Sequence, residues 1–230
     1  MEVSLVDSLK PKLKKGVEQL QLKLEDEILD SLLNYILEFL RWNKTHNLSA
    51  IQSAQESITL HLLDSLAILP YLDDYVRENF SNREFSIADL GTGGGLPGVV
   101  IAICRPSWKV YLMEAVQKKT VFLEHVVMRQ NLKNVTVYPG RIENTSQPLK
   151  NNVSCCISRA FSDFGKFIDL SAPMLVDGGV VWAMKAKLLE EDLQTIPKNW
   201  EIQANHLLHI PGLDAQRRLF KLAPVRESHS

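Results

Sequence analysis

The sequence predicts an α/β fold: a mostly parallel, seven-stranded sheet wrapped by helices, closed at one edge by an antiparallel hairpin and preceded by a helical extension. Three observations predict it. The first 78 residues carry apolar side chains at helical spacing; from about residue 84, short runs rich in Val, Ile and aromatics alternate with helical patterns; and the apolar run at 86–90 empties into four glycines within five residues. Strand–helix alternation builds parallel sheets, and a glycine-rich bend after the first strand is where open sheets admit nucleotide ligands.

In the extension, residues 1–83, Leu29, Leu32, Leu33, Ile36, Leu37 and Leu40 recur three and four apart and make one apolar helix face. Ile58, Leu62, Leu66 and Leu69 make a second, closed by Pro70. The polar, aromatic and aperiodic stretch 41–49 between them predicts a loop. In the α/β domain, residues 84–230, strands are expected at 86–90, 109–113, 135–138, 153–157, 180–184, 201–210 and 218–222. Helices are expected at 97–104, 117–131, 164–174 and 188–195. The last two strands are joined through Pro211-Gly212-Leu213-Asp214 with no helical stretch between them, which predicts the antiparallel hairpin.

Composition bounds the function. Apolar residues are 45% and charged residues 23% of 230, an ordinary globular balance that excludes a disordered chain, a collagen-like repeat and a rod. The longest apolar run, 99–104, is far short of the roughly 20 residues that span a bilayer, and the lysine-rich start lacks a signal-like apolar stretch. A soluble, cytoplasmic chain without membrane contact is expected. Lys+Arg total 26 and Asp+Glu 27, so any contact with nucleic acid must be a local patch, not a coat of positive charge. Cys104 stands alone and Cys155 and Cys156 are adjacent, which fits neither a disulfide framework nor a zinc or redox spacing. No metal is expected, and Cys155 and Cys156 are read as packing residues on opposite faces of a strand.

The chemistry concentrates in Asp89-Leu90-Gly91-Thr92-Gly93-Gly94-Gly95-Leu96-Pro97-Gly98. Glycine is needed where backbone turns sharply and a ligand approaches without a Cβ in the way, and Pro97 suits the first turn of a helix. Gly93-x-Gly95-x-x-Gly98 nominally matches a dinucleotide fingerprint. Asp89 at the strand tip would, however, face an anionic pyrophosphate, and Pro97 lacks an N–H where that group wants donors. A cationic adenosyl ligand fits better. Asp89-x-Gly91-x-Gly93-x-Gly95 resembles motif I of class I methyltransferases, which bind S-adenosylmethionine. Glu114, at the end of the second strand, is placed to accept both ribose hydroxyls of an adenosine, whichever cofactor carries it.

Several separated blocks add to the glycine turn: Trp42-Asn43-Lys44-Thr45-His46-Asn47-Leu48, His61-Leu62-Leu63-Asp64-Ser65 and Ile157-Ser158-Arg159-Ala160-Phe161, with weaker echoes at Lys118-Lys119 and Ala183-Met184-Lys185. Together they resemble one family, the bacterial ribosomal RNA small-subunit methyltransferase G family, also called glucose-inhibited division protein B. The resemblance implies a Rossmann-like class I fold, S-adenosylmethionine as cofactor, and methyl transfer to N7 of a specific loop guanine in 16S rRNA of the small ribosomal subunit. Carried over by position, it implies cofactor contacts at Gly91, Leu96, Ile142, Glu143 and Arg159. Gly94 stands where the family often has proline, and Glu114 where many members have aspartate.

What the sequence lacks points the same way. The stretch after the fourth strand reads Ser158-Arg159-Ala160-Phe161, not the Asn/Asp-Pro-Pro-aromatic loop used on exocyclic amines, and no Pro-Cys or Thr-Cys presents a thiolate for pyrimidine C5. Guanine N7 has a lone pair and no proton, so alignment with the methyl donor suffices without a general base. Arg159, with a planar set of five donors at the strand end, is the catalytic candidate. Lys118, Lys119, Arg141 and above all Lys185 are the RNA-binding candidates; Arg129, Lys133, Lys187, Arg217 and Arg218 are further basic positions. The target must be unpaired or flipped, and Phe161 and Trp42 are candidates to stack on it. His61 and Asp64 are expected on one helix face, bonded to each other or lining the cleft. A monomer is expected. The competing readings are an NAD-dependent oxidoreductase and a non-catalytic RNA-binding module on the same fold.

Overall fold

Apolar periodicity in the extension becomes a stack of helices laid against one face of the sheet. The computed structural model describes residues 2–81, 83–159, 161 and 163–225, residues 2–4 by backbone alone. Helices α1 (Glu2–Gln19) and α2 (Asp26–His46) are followed by α3 (Ala54–Ser57), a π-helical stretch at Ile58–Leu63, α4 (Asp64–Leu66) and α5 (Leu69–Asn79). Asp26 and Glu27 in the first turn of α2 and Lys44 and His46 in its last complement the helix dipole. Asn47, at φ 49°, closes it in the left-handed conformation, its N–H on the Asn43 carbonyl.

Two expectations are corrected here. The stretch 41–49 is helix as far as His46, because Trp42 packs against Phe122 and His125 and the buried Asn43 side chain donates to the Ile51 carbonyl. Tertiary burial outweighs weak local periodicity. Pro70 does not close the second apolar stripe; it sits in the first turn of α5, where its missing N–H has no intrahelical partner to lose.

The sheet holds β1 (Ser86–Leu90), β2 (Lys109–Glu114), β3 (Val135–Pro139), β4 (Val153–Ser158), β5 (Leu175–Lys185), β6 (Trp200–Leu208) and β7 (Arg217–Pro224). Its order is β3-β2-β1-β4-β5-β7-β6, with β7 antiparallel to both of its neighbours and the other pairs parallel. Helices α6 (Gly98–Cys104), α7 (Gln117–Arg129), α8 (Ile142–Thr145), α9 (Phe164–Ser171) and α10 (Glu190–Thr195) occupy the connections. β5 begins five residues earlier than the 180–184 expected, running through Gly178 at φ +74°. Order reverses at β1, between β2 and β4. Ligands of open α/β sheets bind at the carboxyl ends of the strands at that point.

Alternation along the strands builds two apolar layers. Ile87, Cys155 and Ile157 enter one, Ala88, Leu90 and Cys156 the other, so the adjacent cysteines do pack on opposite faces. The extension joins the first layer: Leu29, Leu32, Leu33, Ile36 and Phe39 share a cluster with Val99–Ile103 of α6. All of α6 is buried, which accounts for the longest apolar run in the chain. Among the described residues no helix is long and apolar enough to cross a membrane.

Candidate cofactor and substrate site

The glycine turn leaves β1 and is tied down on every side but one. Gly91, Gly93 and Gly95 take φ of +69°, +63° and +99°, where a Cβ is strained. The N–H groups of Gly91 and Thr92 donate to the Met113 carbonyl at 2.9 and 3.1 Å. Glu114 accepts the Gly93 N–H on Oε2 and the Val116 N–H on Oε1, both at 2.8 Å, which links the turn to the β2 tip. From the extension, the Tyr35 hydroxyl donates to the Gly94 carbonyl at 2.7 Å. A Cβ on Gly94 would strike the Phe39 ring, one on Gly95 would strike Val99, and one on Gly98 would strike Leu112. Gly94 is thus pressed against Phe39. Of Gly93, Gly94, Gly95 and Gly98, Gly93 alone opens outward: nothing lies nearer its Cβ direction than the Lys119 ammonium at 4.0 Å.

Asp89 is turned inward. Its Oδ2 accepts the Thr92 hydroxyl at 2.6 Å and the Gly98 N–H at 2.8 Å. Its Oδ1 is buried with no hydrogen-bond partner among the described residues. Burial pushes its pKa up to about 6, against the opposing hydrogen bonds and the charge of Arg159. These residues fit an adenosyl cation: a carboxylate short of partners, a second carboxylate at the next strand tip, and open space over Gly93. They do not suit a pyrophosphate, because Asp89 already takes the Gly98 N–H at the start of α6.

A pH dependence follows. The folded state holds the Asp89 proton more tightly than the unfolded chain, whose carboxyl titrates near 3.8. That contribution to stability is present below pH 3.8 and is lost as pH rises through about 6, at up to about 1.4 kcal/mol per pH unit. Asp89→Asn keeps an acceptor for Thr92 and Gly98 and removes the titration. Denaturant titrations at intervals from pH 4 to 7 should show wild type losing stability relative to Asp89→Asn as pH rises. Parallel curves would contradict the assignment.

The other half of the site lies at the β4 and β5 tips. The Ser158 hydroxyl donates to the Leu90 carbonyl at 2.7 Å and fixes the β4 end beside the glycine turn. Arg159 follows, its Nη1 donating to Asp64 Oδ2 at 3.0 Å. Asp64, 3% exposed, also accepts Arg217 Nε on Oδ1 at 3.1 Å. His61 lies within hydrogen-bonding distance of the Leu60 carbonyl (3.1 Å) and the Ser49 hydroxyl (3.3 Å). Burial, then the Arg159 charge, holds its pKa down to about 4, so the imidazole is neutral near pH 7. His61, Asp64, Arg159, Phe161 and Arg217 line a cleft of about 540 Å³. His61 and Asp64 therefore share the cleft, each bonded to other partners.

Other sequence candidates divide. Ile142 is half-buried and Glu143 exposed in α8, and Gly140 N–H donates to the Glu114 carbonyl at 2.9 Å, drawing that turn to the β2 tip. Leu96 is buried in the turn. Lys118 and Arg141 are exposed and Lys119 half-buried, leaning toward Gly93. Lys185, expected to meet phosphate, lines the same cleft and is ion-paired at its wall. Its ammonium pairs with Asp192 and lies 4.7 Å from the Phe164 ring centre, with the side chain 11% exposed. Trp42 stands between α2 and α7, away from the cleft, while Phe161 lines the cleft and stacks on Phe167 at 5.3 Å. Ala160, within the Ile157–Phe161 motif, lies outside the described residues. Sequence reasoning missed Tyr35 and Phe39 as braces of the turn. Their four-residue spacing on the buried face of α2 was the available signal.

Comparison with known proteins agrees with this arrangement. The family model described as "GidB: rRNA small subunit methyltransferase G" matches residues 28–220. Among curated relatives, a ribosomal RNA small subunit methyltransferase G from Polynucleobacter asymbioticus is 44% identical, covering 92% of this chain and 94% of its own. One from Methylobacillus flagellatus is 37% identical, covering 95% and 100%. Among solved structures, a predicted O-methyltransferase from Agrobacterium tumefaciens superposes with a TM-score of 0.53 at 20% identity, covering 72% of this chain and 80% of that one. TrmN from Thermus thermophilus gives 0.51 at 14% identity, covering 73% and 53%. At such identities these two speak for the fold alone, that of class I methyltransferases. With the sheet order, the one-sided glycine turn and relatives matched over nearly their whole length, the chain belongs to the rRNA small subunit methyltransferase G family.

Proposed function

We propose that this chain transfers a methyl group from S-adenosylmethionine to N7 of a loop guanine in 16S rRNA of the small ribosomal subunit, acting as a cytoplasmic monomer. The observation that carries the reading is the glycine turn, closed at Gly94, Gly95 and Gly98 by Phe39, Val99 and Leu112 and open above Gly93, whose N–H is held by Glu114. Asp89, Gly91, Gly93, Gly95, Leu96 and Glu114 would hold the cofactor, with Ile142 and Glu143 at the adenine edge. When bound, S-adenosylmethionine supplies an electrophilic methyl group on a positively charged sulfur.

The protein's own part is positional. Glu114 fixes the turn through Gly93 and retains lone pairs for ribose hydroxyls. Asp89 places negative charge beneath the turn, and binding a cation there favours its ionised form. Arg159, anchored on Asp64, stands at the tip of the strand next to the cofactor turn, where it orients the target nucleotide. N7 carries no proton, so no side chain is required as a base, and the neutral, hydrogen-bonded His61 is not needed for proton transfer. Lys118, Lys119 and Arg141 form RNA-facing cations, and Lys185, paired with Asp192 at the cleft wall, adds charge where the target nucleotide would enter.

The deciding experiment incubates the purified protein with labelled S-adenosylmethionine and small-subunit RNA from cells lacking the modification, then maps the labelled nucleotide. Label on one guanine N7 is expected, together with binding of S-adenosylhomocysteine and none of NADH. No transfer to RNA, or transfer to another atom, overturns the reading.

A further inference from the structure

We propose that Arg217 is a second substrate-binding arginine, held beside Arg159 by the buried Asp64, and that it takes a backbone phosphate of the target nucleotide while Asp64 acts as a positioning residue. The inference rests on the methyltransferase reading above. Three distant stretches converge: Asp64 from the extension, Arg159 from the end of β4 and Arg217 from the start of β7. One arginine would neutralise Asp64. The second leaves the cluster with a net positive charge at the edge of the cleft, and both arginine side chains stay partly exposed there, at 26% and 29%. Arg217 commits Nε to Asp64 and Nη1 to the Gln216 carbonyl. Arg159 commits Nη1 to Asp64. Each guanidinium thus keeps N–H groups beyond its anchoring bonds, in the fork geometry that suits phosphate oxygens.

Sheet order assigns the ligand. The adenosyl site spans β1 and β2, whereas β7 lies beyond β4 and β5 on the opposite side of β1. Arg217 therefore serves what enters from the substrate side. The same cleft is lined by apolar Ile51, Leu60, Phe161 and Met184 and by the Asp192-paired Lys185, so charged and apolar surface meet in one space. A nucleotide has that form: a flat base and, at its other end, a phosphodiester. The alternative, Arg217 reading the edge of the base, would change base selectivity without changing salt dependence.

The test compares Arg217→Gln, Arg217→Lys and Asp64→Asn in the full chain with small-subunit RNA and S-adenosylhomocysteine. For Arg217→Gln, we expect KM for RNA to rise about tenfold with S-adenosylhomocysteine affinity unchanged, and the log–log salt slope of RNA binding to fall by about 0.7–0.9. Arg217→Lys should restore the slope. Asp64→Asn should lower kcat and raise KM with cofactor affinity retained, because the anchor loses its charge and one of its two acceptor oxygens, so it can no longer hold both arginines. A wild-type salt slope and KM in Arg217→Gln, or equal loss of cofactor binding, overturns the proposal. The slope is read from binding alone, so it judges Arg217 even if the wild-type protein transfers no methyl group, a result that would sink the methyltransferase reading separately.

Discussion

Gly93→Val should abolish cofactor binding while leaving the protein folded. A Cβ at this position meets no protein wall, so the valine projects into the opening where the adenosyl group is proposed to lie. The clash is with the ligand and not within the turn. The φ of +63° adds roughly 1–2 kcal/mol of backbone strain. Calorimetric titration should show S-adenosylhomocysteine affinity reduced at least about 100-fold, equivalent to about 2.7 kcal/mol, with the melting temperature lowered only by the strain. Gly178→Ala is the control: it has φ +74°, nothing within 4 Å of the added Cβ, and a place in β5 before the stretch that pairs with β7. It should show comparable strain and normal cofactor affinity. Normal affinity in Gly93→Val would refute the proposed pocket.

Arg159→Ala should lower kcat/KM for RNA methylation by about 100-fold or more, again about 2.7 kcal/mol of transition-state stabilisation. Folding should suffer less, because Asp64 keeps its bond from Arg217 and is not stranded as an unpaired buried charge. Arg159→Lys keeps the charge and loses the fork, so it should recover only part of the activity. Single-turnover kinetics on unmodified small-subunit RNA, run beside thermal melts, separates the two effects. Wild-type turnover in Arg159→Ala would remove this residue from the mechanism.

The α/β half was legible because its signals are local. Strand β1 was expected at its observed limits, and five of the other six strands lie within two residues of their expected ends, because apolar runs bounded by turn residues depend little on distant contacts. β5 is the exception. Its early part carries Gly178 and Gly179, residues that read as a turn, yet pairing of Val153 with Leu175 draws it into the sheet. The glycine turn was legible for the same reason, since positive φ at Gly91, Gly93 and Gly95 is a property of the backbone itself. What depended on long-range meeting was not legible. Lys185 pairs with Asp192, seven positions on across a loop, and the Asp64–Arg217 bond spans 153 positions. A charge count names such residues, but only packing decides which carboxylate each cation meets.

The bond from Tyr35 to Gly94, and the Phe39 ring beneath it, carry a consequence for how such a protein can be altered. The glycine bend is braced by a helix that precedes the whole sheet, and the same extension contributes Asp64 to the opposite cleft. A chimera joining residues 84–225 to another leader would inherit the glycines without their brace and the two arginines without their tether. On the proposed reading, donor recognition and target recognition travel as one piece, and a change that tilts α2 is expected to be felt at both.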